Sequence, residues 1–455
     1  VALHHEVVDW VEARRQSTAF DDSHLQVMFD QCKALIIGLQ KRGAVVGSSL
    51  NTAYLLERLS QTLERLETLM AIFVSNRYLP RRILLLTGCF ARAAAERHSI
   101  SRLWKQSSGL MARSVTQNAG DHGEHYITRD KKEYWAMFYS AAGGGVLIAL
   151  MALFKTYLGS IIDDKVWKGI AEGLNYGLGF MVIFMLHFTV ATKQPAMTAA
   201  RFAEAVEKTP QGKTVNMKLA QLLVDVFRSQ SIAVLGNVLI AMGLAALIAF
   251  GYQYKTGEPL MNADQIAYQL HSIDPFAGTL WFAAIAGVWL FCSGIISGYF
   301  DNRSNYLNMR MRLTQHPLLK KLMSEKTRVK FANYMHENYG SLIGNLCFGM
   351  LLGITGVVGY LTHLPLDIRH VAFSSANVGY IAVSGHFTYS LLLQCIAFVL
   401  LIGLVNLIVS FSLTLWVALR SLNAEIDSWW PIWHEVCQIV KKRPLSLFLP
   451  IQLDK

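Results

Sequence analysis

Residues 236–252 read GNVLIAMGLAALIAFGY, a run without a single charged side chain. The run lies within a longer apolar stretch at 231–252, close to the ~20 residues that a helix needs to cross the ~30 Å hydrocarbon core of a bilayer. A similar run, GNLCFGMLLGITGVVGY, returns 108 residues later at 344–360 and aligns with the first without a gap. The recurrence predicts a membrane domain built from repeated helical units.

Five further stretches share this apolar character, and a composition of 53% hydrophobic and 16% charged residues suits a membrane protein. The six predicted spans are 137–158, 173–192, 231–252, 276–300, 341–361 and 389–419. A buried helix of a large soluble protein is an alternative for any one stretch but not for all six. We therefore predict an all-α polytopic membrane protein with six transmembrane helices arranged as three repeated hairpins.

The basic residues divide unevenly among the connections between these spans. Two connections, 193–230 and 301–340, hold six and eight Lys or Arg residues, whereas 159–172, 253–275 and 362–388 hold four together. Basic loops stay on the cytoplasmic side of a membrane. We therefore expect the chain in the inner membrane of a bacterium, with both termini in the cytoplasm. Most of the basic residues behind the net charge of +11 are then expected to lie near anionic lipid headgroups.

Residues 1–130 are predicted to form a separate helical domain in the cytoplasm. Leu55, Leu59, Leu63 and Leu66 recur at three- and four-residue steps, which is the spacing of one apolar helix face. The region is interpreted as a helical bundle or a domain that docks a protein partner. A basic coiled arm for nucleic acid is the alternative.

The membrane domain is predicted to span 131–420 and to be followed by an interfacial tail at 421–455. The tail contains Trp429, Trp430 and Trp433. Tryptophan is enriched where a membrane meets water, so these side chains are expected at the membrane surface.

Several motifs resemble those of one protein family. They are SSLNTAYLLERLSQTLERLE at 48–67, FTVATKQPAMTAA at 188–200, SGYFDN at 297–302 and SFSLTLWVALRS at 410–421. Together they resemble a bacterial polytopic membrane family that carries the name site-specific recombinase, over nearly the whole chain. The name implies DNA strand exchange, but the resemblance supplies no active-site residues for this sequence.

The residues themselves give little support to catalysis. No His-x-x-Arg unit of the tyrosine recombinases occurs, and Tyr299 and Tyr306 lie beside Arg303 at a predicted membrane exit. Hydrolase, nucleotide-binding and zinc-protease motifs are absent, and the six cysteines are far apart. We therefore predict no catalytic residues, no metal and no cofactor, and we regard nucleic acid as an improbable partner.

Polar side chains inside the predicted spans are the first candidate site. They are His187, Asn237, Asn345 and Asn406. Such groups need partners in hydrocarbon, so they must face protein or water. Two interpretations stay open: hydrogen bonds that hold helices together, or a polar cavity for a solute or a lipid headgroup.

A second candidate set lies where two predicted spans reach the cytoplasm. The repeat places the end of the second span over the end of the fourth, with Lys193 on Asp301. The predicted helix-mouth residues are Lys193, Gln194, Pro195, Asp301, Asn302 and Arg303. Here Pro195 would end or redirect one helix, and Arg303 would reach the lipid headgroups.

The sequence thus favours a transporter-like or lipid- or solute-handling protein without covalent catalysis. Two alternatives remain: a membrane scaffold that recruits a protein partner through residues 1–130, and a site-specific recombinase.

Overall fold

The computed structural model has an all-α fold, which confirms the predicted class, and it contains no strand among the residues that it describes. These residues are 2–16, 18, 20–46, 50–74, 79–96, 127–128, 130–191, 205–206, 213–384, 387–421, 426 and 428–450.

Fifteen α-helices lie in these ranges. In chain order they are α1 (Ala2–Arg15), α2 (Asp22–Val46), α3 (Leu50–Val74), α4 (Leu79–Glu96), α5 (Lys131–Ile161), α6 (Lys165–Met185), α7 (Lys213–Thr256), α8 (Ala263–Ile273), α9 (Thr279–Tyr306), α10 (Met309–Gln315), α11 (Pro317–Leu322), α12 (Glu325–Thr362), α13 (Val371–Ser384), α14 (Tyr389–Ser421) and α15 (Trp430–Lys442).

Five of these helices, α5, α7, α9, α12 and α14, are long and apolar enough to cross a membrane. They coincide with five of the six predicted spans and indicate a membrane protein. Helices α7 and α12 have 44 and 38 residues. At 1.5 Å per residue they are about 66 and 57 Å long, so each extends well beyond a ~30 Å hydrocarbon core.

The predicted span at 173–192 differs from the structure. Helix α6 begins earlier, at Lys165, and ends at Met185, and residues 188–190 are not helical. Its first half contains Lys168 and Glu172, so its apolar part is short. Helix α6 is therefore not among the five candidate spans in the described part of the chain.

A second difference concerns the connection predicted at 362–388. It contains α13, a 14-residue apolar helix that is buried along most of its length. Helix α13 packs against α7, α14 and α5. It is too short to be recognised as a span by length, and protein covers it.

The N-terminal helices α1, α2 and α3 share a small core of their own. Its buried side chains are Trp10, Leu25, Phe29, Ile36, Leu63 and Met70. Leu63 was predicted to lie on the apolar face of its helix, and it is buried here. The division into domains at residue 130 remains a prediction.

A second cluster joins the first turns of α7 to the end of the chain. Leu219 and Val224 of α7 pack with Leu415 of α14 and with Ile432 and Val436 of α15. Helix α15 thus lies against α7 and α14 on one side, while Trp430 and Trp433 remain exposed on the other. This arrangement suits the predicted contact of the tail with a membrane surface.

Helix α12 occupies the centre of the bundle because its glycines let two helices approach its backbone. A Cβ atom on Gly349 or Gly353 would overlap the backbone of Gly177 or Gly173 in α6. On another face, a Cβ atom on Gly340 would overlap the backbone oxygen of Ser297 in α9. Small residues at this spacing permit such close contacts in membranes, where the hydrophobic effect does not drive helices together.

A Gly349→Ala substitution tests this packing. The added methyl group has no room against the Gly177 backbone, so we expect destabilisation by about 1–3 kcal/mol. Gly251→Ala in α7 is the matched control, because nothing lies within 4 Å of the Cβ position there. The melting temperature of the purified protein in detergent should fall for Gly349→Ala only. Equal melting temperatures would contradict the packing described here.

Candidate functional site

A charged pocket of about 490 Å³ lies among the helix ends. Its walls come from four parts of the chain: the end of α5, the first half of α6, helix α8 with the residues before it, and residues 367–377. Helix α8 begins with a capping box, in which Asn262 and Gln265 each bond the other's backbone N–H. That cap fixes the start of the short helix at the pocket wall.

Two ion pairs lie in the pocket wall. Lys155 Nζ of α5 is 3.4 Å from Glu172 Oε2 of α6. Arg369 Nη1 is 2.6 Å from Asp367 Oδ2. Arg369 also donates through Nε to the Ser272 carbonyl at the end of α8, at 2.8 Å. These contacts join the segments that form the pocket and hold both cations in place.

Aromatic and imidazole groups form the pocket floor. Tyr176 and Phe373 lie with ring centroids 4.4 Å apart, and His370 packs edge-on to Phe180 and Phe348. His370 lies in the non-helical segment before α13, and burial lowers the pKa of its imidazole to about 4. The ring is therefore neutral near pH 7, and the cationic groups in the wall are Lys155, Lys168 and Arg369.

Asn406 of α14 supports the segment that carries Arg369 and His370. Its Oδ1 accepts from the Val371 N–H at 3.2 Å, and its Nδ2 donates to the Arg369 carbonyl at 3.0 Å and to the Ala283 carbonyl of α9 at 2.7 Å. The side chain is fully buried. One amide thus satisfies three backbone groups where the helical path is interrupted before α13.

Asn237 of α7 makes the same set of hydrogen bonds at a second interruption of the helical path, after α6. Its Oδ1 accepts from the Ala191 N–H at 2.8 Å, and its Nδ2 donates to the carbonyls of Thr189 and of Ala141 in α5. His187 lies in the same segment, is exposed, and has a positive φ of 59°. Its carbonyl accepts from the Ser140 hydroxyl.

Asn345 differs from both, since its Nδ2 donates to the Ser341 carbonyl of its own helix. No hydrogen bond joins any two of the four predicted cluster residues within the described ranges. Asn237 and Asn406 hold two separate helix junctions, which agrees with the interpretation as hydrogen bonds between helices. A ligand cavity formed by the four residues remains a prediction.

Of the helix-mouth residues, Lys193, Gln194 and Pro195 lie outside the described part of the chain. Asp301 lies on α9, and its Oδ1 accepts from the Gly340 N–H of α12 at 2.9 Å, so it ties two helices together. Asn302 and Arg303 follow on the same helix. Arg303 is exposed, and its Nη1 is 3.5 Å from the Tyr299 hydroxyl.

The pocket residues Lys155, Glu172, Tyr176 and His370 did not enter the predicted site. One signal pointed to them: Lys155 lies inside the apolar stretch 137–158, where a charge needs a partner. That partner, Glu172, comes from the next helix, and the sequence alone does not show that the two side chains meet.

The Asn406→Leu substitution should lower stability by about 2–4 kcal/mol, because it removes three hydrogen bonds between the Asn406 amide and the backbone of other segments. Asn345→Leu is the matched control: the residue is equally buried, but its bond lies within one helix. Melting temperatures in detergent should therefore fall much further for Asn406→Leu. If both substitutions cost the same, the bridging role of Asn406 is wrong.

Comparison with known proteins identifies the family. A family model described as site-specific recombinase matches residues 1–450, nearly the whole chain. Neither the comparison with curated proteins nor the comparison with solved structures finds a match. The match covers the N-terminal helices, the five candidate spans and α15 alike. The chain therefore belongs to the site-specific recombinase family.

Proposed function

We propose that this protein is an integral membrane protein that binds a small polar solute or a lipid headgroup in the pocket between α5, α6, α8 and α13. The observation that supports the proposal is the charged pocket itself, with two ion pairs and a volume of about 490 Å³. Ionisable side chains are costly in membrane helices and are found mainly at functional sites. Pockets of this volume hold small molecules.

The pocket opens toward the extracytoplasmic side in this proposal. Its lining comes from the ends of the connections 159–172, 253–275 and 362–388, or from helix turns next to them. These are the connections that are poor in Lys and Arg. If α6 crosses the membrane as a sixth span, the positive-inside rule favours both termini in the cytoplasm and the protein in the bacterial inner membrane.

The internal repeat further supports a ligand site at this position. Helices α7, α8 and α9 begin at residues 213, 263 and 279, and α12, α13 and α14 begin at 325, 371 and 389. Two long helices flanking a short one thus recur after about 110 residues, close to the 108-residue shift of the sequence. We infer that α8 and α13 are equivalent in the two units. Both line the pocket, and membrane transporters bind their substrates at such repeat interfaces.

An Asn377→Trp substitution tests the pocket as a ligand site. Asn377 lines the pocket from α13 and is half-buried, so an indole ring there fills part of the volume. We expect the purified wild-type protein to retain a small molecule or a lipid, detected by native mass spectrometry, and the variant to lose it.

Tyr254→Trp is the control, because the Tyr254 side chain is exposed and lies outside the pocket. Both variants should keep the wild-type melting temperature to within a few degrees. A wild-type protein that carries nothing, or an Asn377→Trp variant that carries the same molecules, would contradict the proposed function.

Site-specific recombination is the second candidate, because the chain belongs to the family of that name. The structure places the Tyr299 hydroxyl near Arg303 on an exposed part of α9, and Tyr306 is also exposed. Strand cleavage by a tyrosine requires several cationic groups around the phosphate.

If this second function holds, the purified protein should bind duplex DNA with an affinity that falls steeply with salt, and it should nick supercoiled plasmid. Tyr299→Phe or Tyr306→Phe should then abolish the nicking, with Tyr334→Phe as a control on α12. Gel electrophoresis of the plasmid gives the result. Intact plasmid with the wild-type protein at low salt would exclude this function for the two tyrosines.

A further inference from the structure

We propose that the pocket binds an oxyanion, a carboxylate or a phosphate group, at a subsite formed by the Tyr176 hydroxyl, Lys155, Lys168 and the N-terminus of α13. The inference rests on the proposed function and deepens it by naming the chemical class of the ligand. The oxyanion belongs either to a free solute or to a lipid headgroup.

The Tyr176 side chain carries the first part of the argument. It is 1% exposed and lines the pocket, with its hydroxyl on the side of the Lys155 ammonium. The Lys155 ammonium can only donate to this oxygen, and no described group accepts the hydroxyl hydrogen. A buried hydroxyl without such a bond costs free energy, which a ligand oxygen would recover.

Two lysines supply positive charge in the pocket, and one of them, Lys155, lies next to this hydroxyl. Lys155 Nζ lies 5.6 Å from the centroid of the Tyr176 ring and forms an ion pair with Glu172. Lys168 is half-buried in the pocket wall and makes no ion pair with any described residue. An oxyanion between these ammonium groups would therefore meet one cation that is still available.

The N-terminus of α13 adds a third positive group. The helix has 14 residues and no acidic residue in its first turn, and Phe373 and Ser374 of that turn line the pocket. Backbone N–H groups and the helix dipole favour an anion at such an end. Asn406 holds the Val371 N–H, so the start of the helix is fixed before a ligand arrives.

Two acidic residues of the pocket, Glu172 and Asp367, act on the same Tyr176 hydroxyl, but nearby cations offset their charge. Glu172 and Asp367 are each paired with a cation. Asp264 is exposed in the first turn of α8, where its charge is favourable for its own helix.

Binding to the full-length protein in detergent tests the inference, with inorganic phosphate, succinate and a short-chain phosphatidylglycerol as probes. We expect Tyr176→Phe to weaken the binding of at least one probe about tenfold, the effect of losing one hydrogen bond to a charged group. Tighter binding of inorganic phosphate or succinate indicates a free solute, and tighter binding of the lipid indicates a headgroup.

Tyr380→Phe is the matched control. Tyr380 lies on α13 and is also buried. Its hydroxyl donates to the Ala149 carbonyl at 2.8 Å, and the residue does not line the pocket. Tyr380→Phe should therefore lower the melting temperature and leave probe binding unchanged. Tyr176→Phe should keep the wild-type melting temperature and weaken probe binding, because the Tyr176 hydroxyl donates to no carbonyl of the described residues.

Two results would overturn the inference: no probe binds to the wild-type protein, or Tyr176→Phe binds every probe as tightly as the wild type does. The proposed function is unaffected by either result if a molecule co-purifies with the wild-type protein and Asn377→Trp loses it. The pocket would then bind that molecule without an oxyanion subsite. The proposed function itself is contradicted if no molecule co-purifies with the wild-type protein, or if the Asn377→Trp variant carries the same molecules.

Discussion

The close approach of α6 and α9 to the backbone of α12 is the constraint on which the rest of the bundle depends. The glycines of α12 face both neighbours, and side chains at those positions would overlap backbone atoms of the adjacent helices. Water cannot drive helices together within lipid, so van der Waals contact over such glycine faces supplies much of the attraction. The position of α6 then follows, and with it the positions of Glu172 and Tyr176 at the pocket.

A membrane bundle of this kind must also satisfy the backbone wherever a helix is interrupted. Two interruptions, at 186–191 and 363–370, lie inside the described bundle, and each is held by one asparagine from another helix. The amide group suits this task because it accepts one N–H and donates to two carbonyls at once. The junction at Asn406 has a direct relation to the proposed ligand site, because the segment that it holds carries Arg369 and His370.

Much of the architecture was predictable from the sequence, and the failures have physical causes. Five long apolar stretches were recognised because lipid requires about 20 apolar residues in a row. Helix α13 was missed because protein buries it and no length requirement applies to such a helix.

The pocket was beyond sequence reasoning for a different reason. Its charged residues come from segments more than 200 residues apart, and Lys168 and Arg369 carried information only about topology. The intramembrane asparagines were found because polar residues in apolar stretches are conspicuous. Their partners were not predictable, since all of them are backbone atoms, and several lie at interruptions that a helical pattern does not reveal.

The unbroken length of helix α7 has a mechanical consequence. It runs without a break over 44 residues from the cluster with α15 to the turn before α8. A straight α-helix of this length is stiff along its axis, so an axial shift at one end is transmitted as a shift at the other. A movement at the α8 end of this helix would therefore act on the cluster at its other end, where Leu219 and Val224 pack against α15.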